Sequence, residues 1–198
     1  MSFSDYEAFW SARYRDAGDD YLFGTAPNKF LASRADYFGD GMSVLSVADG
    51  EGRNSVWLAE QGCSVTATEI SPVALEKAAR LARGRHVAVD FVAADVFNWE
   101  WPDVAFDAVV GIFIQFAGPA LRTRLFAGMK AALKPGGLLL LEPRTDVVHQ
   151  RGRWRPRTEQ LADPQGAQLG HVFLRDDPPA RDEDVVAPRV HQQLPHAR

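Results

Sequence analysis

The chain has 198 residues, 46% hydrophobic and 24% charged, with 26 acidic against 22 basic side chains, the profile of one globular domain rather than of disorder, collagen or coiled coil. A formal net charge of -4 argues against a protein built to neutralise nucleic-acid phosphates. The longest apolar run, Gly136 to Leu141, falls far short of the roughly 20 residues a membrane helix needs, and the single Cys63 excludes an internal disulfide.

Taken in chain order, Ser4-Asp5-Tyr6-Glu7 reads as a capping box, followed by Phe9, Trp10, Arg13 and Tyr14 at helical spacing, which predicts a helix over Asp5 to Asp16. Residues Asp19 to Asn28, broken by Gly24 and Pro27, read as an ordered loop, and Lys29 to Tyr37 as a second helix. The period then changes. Ser43 to Ala48 is an apolar strand, Asp49-Gly50-Glu51-Gly52 a turn, and Asn54 to Gln61 a helix stopped by Gly62. Ser64 to Ile70 is a second strand, and Ser71-Pro72 supplies an N-cap and an N1 proline for a helix reaching Arg83. Further strands are expected over His86 to Val92, Ala105 to Ile112 and Gly137 to Glu142. The amphipathic Pro119 to Leu133 lies between the last two and closes in a Lys134-Pro135-Gly136 loop.

Continuous apolar strands alternating with helices imply parallel pairing through right-handed crossovers, hence a doubly wound α/β sheet. Such sheets bind ligands beyond the carboxyl ends of their strands. Three features fall there. The Asp49 to Gly52 turn lets backbone approach a ligand at a helix N-terminus, with a tight strand-to-helix turn without a ligand as the lesser alternative. Glu69, ending the second strand, can accept from two ribose hydroxyls or stand as a solvated charge. Asp95, after the third, can accept from an adenine amino group or cap the next turn. Together, at successive strand ends, they form a nucleoside pocket. A nicotinamide dinucleotide is the rival ligand, but its third fingerprint glycine is replaced here by Ser55.

These residues resemble those of class I S-adenosylmethionine-dependent methyltransferases, through VLSVADGEGRN, VTATEIS, FVAADV, FDAVVGIF and LKPGGLLLLE in order. The opening FWSARYRDAGDDYLFGTAPNKFL and the run DGEGRNSVWLAEQG are closer still to small bacterial enzymes of the tellurite-resistance type. The resemblance covers residues 5 to 142 and implies a Rossmann-like methyltransferase sheet under an N-terminal helical cover. It implies S-adenosyl-L-methionine held by Ala48, Asp49, Gly50, Gly52, Asn54, Glu69, Ile70, Asp95, Val96 and Phe113, with Gly50 and Gly52 against the methionine part. It also implies that Trp10, Tyr21, Gly24, Asn28 and Gln115 lie on the cover or the substrate side, with Phe113 to Phe116 as the floor. Two positions depart from the family pattern: Ser46 stands where an acid is usual, and Ala48 where a glycine is usual.

Methyl transfer from a sulfonium is an in-line displacement, so the protein chiefly aligns the acceptor and excludes water. No catalytic base and no metal ligand set is evident. His86 begins a strand, and Cys63 lies at the opposite end of the sheet. The aromatic group Phe9, Trp10, Tyr14, Tyr21 and Phe23 either cages a small substrate or packs the first helix on the sheet. A small-molecule acceptor is expected, such as a chalcogen oxyanion or thiol, in a cytoplasmic monomer or homodimer with no nucleic-acid or membrane partner. A binding domain without turnover is the alternative.

The composition changes at Glu142: residues 1–142 hold all four lysines and all four tyrosines, whereas 143–198 hold neither and carry nine Arg, seven Pro and four His. Only Gln168 to Arg175 in this tail has strand character. One codon choice for Gln150 to Gln168, read one nucleotide later, yields a continuation resembling the family's usual one. The tail therefore reads as atypical, and as poorly ordered or out of frame.

Overall fold

The computed structural model describes residues 3–114, 118–142 and 171–174. Its helices are α1 (Phe3–Asp16), α2 (Lys29–Ala32), α3 (Arg53–Glu60), α4 (Pro72–Gly84) and α5 (Pro119–Ala132). Its strands are β1 (Ser43–Val47), β2 (Ser64–Glu69), β3 (Asp90–Ala93), β4 (Phe106–Ile112), β5 (Leu133–Glu142) and β6 (His171–Leu174). They form one sheet in the order β3-β2-β1-β4-β5-β6. The first five strands are parallel, and β6 pairs antiparallel with β5. No helix among the described residues is long and apolar enough to cross a membrane.

Strand alternation divides the core between the two faces. Val44, Val65, Ala108, Val110, Leu138 and Leu140 pack against Phe30, Leu31 and Leu58 of α2 and α3. On the other face Leu45, Val47, Val109 and Leu139 meet Leu125, Met129 and Ala132 of α5. At the amino ends of the strands, the Asp107 carboxylate accepts from Ser43 N at 2.9 Å and Lys134 Nζ at 2.9 Å. The Lys134 and Ser43 contacts hold Asp107 down at about 2.

Four boundaries differ from the sequence reading. The α1 helix already includes Phe3, so Ser4 lies within its first turn rather than capping it. The second predicted helix stops at Ala32, and Ala35–Tyr37 forms a separate 3-10 turn. The third strand starts at Asp90 rather than His86, because His86 takes a left-handed φ of 58° and closes the turn that ends α4. Finally, β5 begins at Leu133: the Lys134-Pro135-Gly136 stretch is an irregularity inside the strand, where the register against β4 shifts between Phe106 and Ala108. The expected strand in the tail is present as β6.

The α1 helix and the loop behind it cover the carboxyl end of the sheet. Serine 71 caps α4 by accepting from Ala74 N, and its Oγ lies 2.8 Å from Ser11 Oγ of α1. Lys77 of α4 is buried and uses all three ammonium hydrogens: it donates to the carbonyls of Tyr14 at 2.7 Å and Asp20 at 2.8 Å, and to Glu51 Oε1 at 2.9 Å. The other Glu51 oxygen accepts from Leu22 N at 2.7 Å, so one ion pair secures the cover to the glycine turn.

Candidate functional site

A cleft of about 130 Å³, open to solvent, lies between the cover and the carboxyl ends of β1, β2 and β4. Of the residues expected there from sequence, it is lined by Trp10, Ala48, Asp49, Gly50, Asn54, Glu69, Ile70, Asp95, Val96 and Phe113.

The glycine turn is organised by Asp49. Its carboxylate accepts from Ser46 Oγ at 2.6 Å, from Ser55 N at 3.3 Å and, on the other oxygen, from Ser55 Oγ. Burial pushes the Asp49 carboxyl up, and the Ser46 and Ser55 contacts partly offset this. Ser46, one of the two departures from the family pattern, thus orients the turn through Asp49. The other departure has a visible backbone consequence: Ala48 takes φ 51°, a left-handed value that favours glycine.

Gly50 (φ 67°) brings the chain under Tyr14, whose hydroxyl would lie 2.9 Å from an added Cβ. Gly52 has a different role. At φ 88° its missing Cβ would stand 2.8 Å from Ala78 Cβ of α4, so it permits close helix packing and does not line the cleft.

Glu69 is buried, with Oε2 accepting from Gly50 N at 2.9 Å and Oε1 from Ser71 N at 2.9 Å. Desolvation pushes its carboxyl up to about 7 despite these bonds. Each oxygen keeps a second lone pair, so the group can still accept from a diol. Asp95 fixes the turn after β3, with Oδ1 accepting from Phe97 N at 3.0 Å and Oδ2 from Asn98 Nδ2 at 2.5 Å, and it lines the cleft.

Tyr14 stands over the turn, buried to 4% exposure. Burial, then the charges of Glu69, Glu51 and Asp49, hold its hydroxyl well above the usual phenol range, so it is a hydrogen-bonding group and not a base. Trp10 stacks on it, with ring centroids 5.8 Å apart.

Tyr21, Gly24 and Asn28 lie outside the cleft lining. The Tyr21 hydroxyl donates to Lys77 O at 3.1 Å and its ring packs near Val56 and Leu81, so it anchors the loop to α4. Gly24 turns the loop at φ 71°. Asn28 caps α2 by accepting from Leu31 N, and its own N–H donates to Asn54 Oδ1 at 2.9 Å, which orients Asn54. Gln115 and Phe116 lie outside the described residues. Cys63 is buried at the far end of the sheet, and neither it nor His86 lines the cleft. No cluster of metal-ligating side chains occurs among the described residues.

Sequence reasoning missed Tyr6, Phe97 and Arg53 as wall residues. Tyr6, Trp10 and Tyr14 recur at a spacing of four, which places them on one face of α1, so the signal was present. Tyr6 meets Phe97 at 6.0 Å, whereas Phe9, off that face, is 45% exposed. Arg53 is the cation of the described lining; its guanidinium lies 5.8 Å from the Phe23 ring and 5.9 Å from the Phe113 ring.

Residues 44–137 match the family model of a methyltransferase domain. The chain is similar to a protein solved in work on the conversion of a disulfide bond into a thioacetal group during echinomycin biosynthesis. That match has 24% identity and a TM-score of 0.59, over 69% of this chain and 59% of that one. It is similar to the [4+2]-cyclase SpnF at 27% identity and TM-score 0.53, over 58% of this chain and 44% of that one. A candidate methyltransferase of Bacillus halodurans C-125 gives 25% and 0.52, over 58% and 49%. The chain thus spans about half the length of these solved structures. No curated protein sequence matches it. The fold is the Rossmann-like methyltransferase fold.

Proposed function

We propose that the protein is an S-adenosylmethionine-dependent methyltransferase acting on a small-molecule acceptor. The observation that carries this reading is the convergence in one cleft of the Gly50 turn, Glu69 after β2 and Asp95 after β3. The donor set fits the cofactor. The Glu69 carboxyl, with lone pairs to spare, suits the ribose diol. The Asp95 turn with Val96 and Phe97 suits adenine, and the close backbone at Gly50 suits the methionine part. When bound, the cofactor supplies the methyl group and its own leaving group, and the residues around it align the acceptor and keep water out.

The aromatic wall of Tyr6, Trp10, Tyr14, Phe23 and Phe113 supports a compact acceptor, with a thiol or chalcogen oxyanion of the tellurite-resistance type as the favoured class. The similarity to a cyclase shows why the fold alone does not fix the chemistry. The tail, residues 143–198, is proposed to be an out-of-frame replacement of the family's C-terminal third; sequencing the coding DNA tests this, and a second frame lacking a family-like continuation refutes it.

Calorimetric titration of the full chain with S-adenosylhomocysteine tests the cofactor site without the acceptor. Saturable binding near micromolar affinity, about -8 kcal/mol, is the expected result. Absence of heat from a folded protein overturns the reading. Product formation from thiol, halide and chalcogen-oxyanion acceptors then separates an enzyme from a cofactor-binding domain without turnover.

A further inference from the structure

Glu142, the last residue of β5, is a buried carboxyl group with 1% exposure. Among the described residues, neither of its oxygens makes a hydrogen bond of good geometry, the Asn28 side chain being the polar group that stands near it. Leaving such a group unsatisfied costs about 1–3 kcal/mol, and orphans of this kind are retained chiefly where a ligand or a reaction supplies the partner.

Its position points the same way. Strand alternation puts Glu142 with Leu138 and Leu140 on the face covered by α2 and α3. Its Cα partner is Ile112, and its carbonyl accepts from Phe113 N at 2.8 Å. Ile112, Phe113 and Arg53 all line the cleft, so the Glu142 backbone adjoins that wall although its side chain is not part of the lining. Burial pushes the group up, offset by the nearby Asn28 side chain and then by the charge of Arg53. A carboxyl raised in this way is a stronger proton acceptor once ionised than one in water.

Resting on the methyltransferase reading, we propose that Glu142 is the proton-accepting residue on the acceptor side, and that the acceptor is a protic nucleophile with a hydrogen on the atom that is methylated. As that atom's lone pair forms the bond to the methyl carbon and the carbon–sulfur pair stays on sulfur, the proton passes to a Glu142 oxygen.

The test compares two cofactor analogues on the full chain by calorimetry: S-adenosylhomocysteine, and the analogue in which an amino-bearing carbon replaces the methylsulfonium. The second places an ammonium where the methyl group would be. Glu142→Gln is expected to lower the ratio of amino-analogue to homocysteine-analogue affinity about tenfold, with S-adenosylhomocysteine affinity held within about twofold. Glu142→Leu, which removes the orphan group while keeping an apolar filling, is expected to fold as well as the parent and to give the same loss. An unchanged ratio in the folded variants overturns the assignment. Failure of the parent chain to bind S-adenosylhomocysteine instead overturns the methyltransferase reading on which it rests.

Discussion

Lys77 and Glu51 meet at 2.9 Å as a buried ion pair, with side chains only 7% and 3% exposed, and this pair joins the N-terminal cover to the sheet. Because Lys77 also holds the Tyr14 and Asp20 carbonyls, one side chain sets the position of α1, of the loop and of the glycine turn. Lys77→Met leaves the Glu51 carboxylate buried without its partner, and a loss of about 3–5 kcal/mol is expected by urea unfolding. Adding Glu51→Gln, which can still accept from Leu22 N, is expected to recover part of that loss. A double variant no more stable than the single one would show that the charge pairing is not the source of the effect.

Ala48 carries a methyl group through a left-handed backbone position. Ala48→Gly is expected to stabilise the protein by about 1 kcal/mol, seen as a higher midpoint in thermal or urea unfolding. A lower midpoint would mean that the extra unfolded-state freedom of glycine outweighs the relieved strain.

The two glycines of the turn should fail differently. Gly52→Ala drives a Cβ to 2.8 Å from Ala78 and is expected to lower stability by about 1–3 kcal/mol through α3–α4 packing. Gly50→Ala drives one to 2.9 Å from the Tyr14 hydroxyl, so its main effect is expected in weaker S-adenosylhomocysteine binding as Tyr14 is displaced. Equal effects of the two on binding and on stability would contradict the separate roles.

Glu69 links stability to pH. Its carboxyl is raised from an ordinary 4.5 to about 7, so between those values the folded state keeps a proton that the unfolded chain has released. The contribution is fully present below the unfolded value and is lost as pH rises toward 7, by about 3 kcal/mol in all. Unfolding free energies at pH 5 and pH 8 should therefore differ more in the parent than in Glu69→Gln. The same pH dependence in both would assign it to other groups, such as Asp49, whose carboxyl is also raised by burial.

The sheet and the residues at its strand ends were legible because both are local. Apolar runs mark β1, β2 and β4, and Asp49 after β1, Glu69 ending β2 and Asp95 after β3 fall at the carboxyl end of the sheet. The start of β3 was less so, since Val87 and Val89 are apolar residues that pack near Leu81 while still outside the strand. Lys77 and Glu142 were invisible for a different reason. Lys77 reads as one charge on an amphipathic helix, and its partners lie 26 to 63 residues away in sequence. Glu142 reads as a polar end to a strand, and its burial to 1% exposure is a property of the folded chain that no local pattern signals. Gly52 was misplaced because sequence shows a glycine's freedom but not which neighbour requires it.

The central strand also sets an order of assembly during synthesis. β1 pairs on one side with β2, about 20 residues downstream, but on the other with β4, where Val44 meets Ala108 and Val47 meets Gly111. The cover closes no sooner, since α1 is held by Ser71 and Lys77. The α1 helix must therefore wait, with Trp10 and Tyr14 unburied, until α4 has emerged from the ribosome, and the middle of the sheet stays open until β4 follows. That interval of exposed aromatic surface is when a nascent chain of this topology most needs a chaperone.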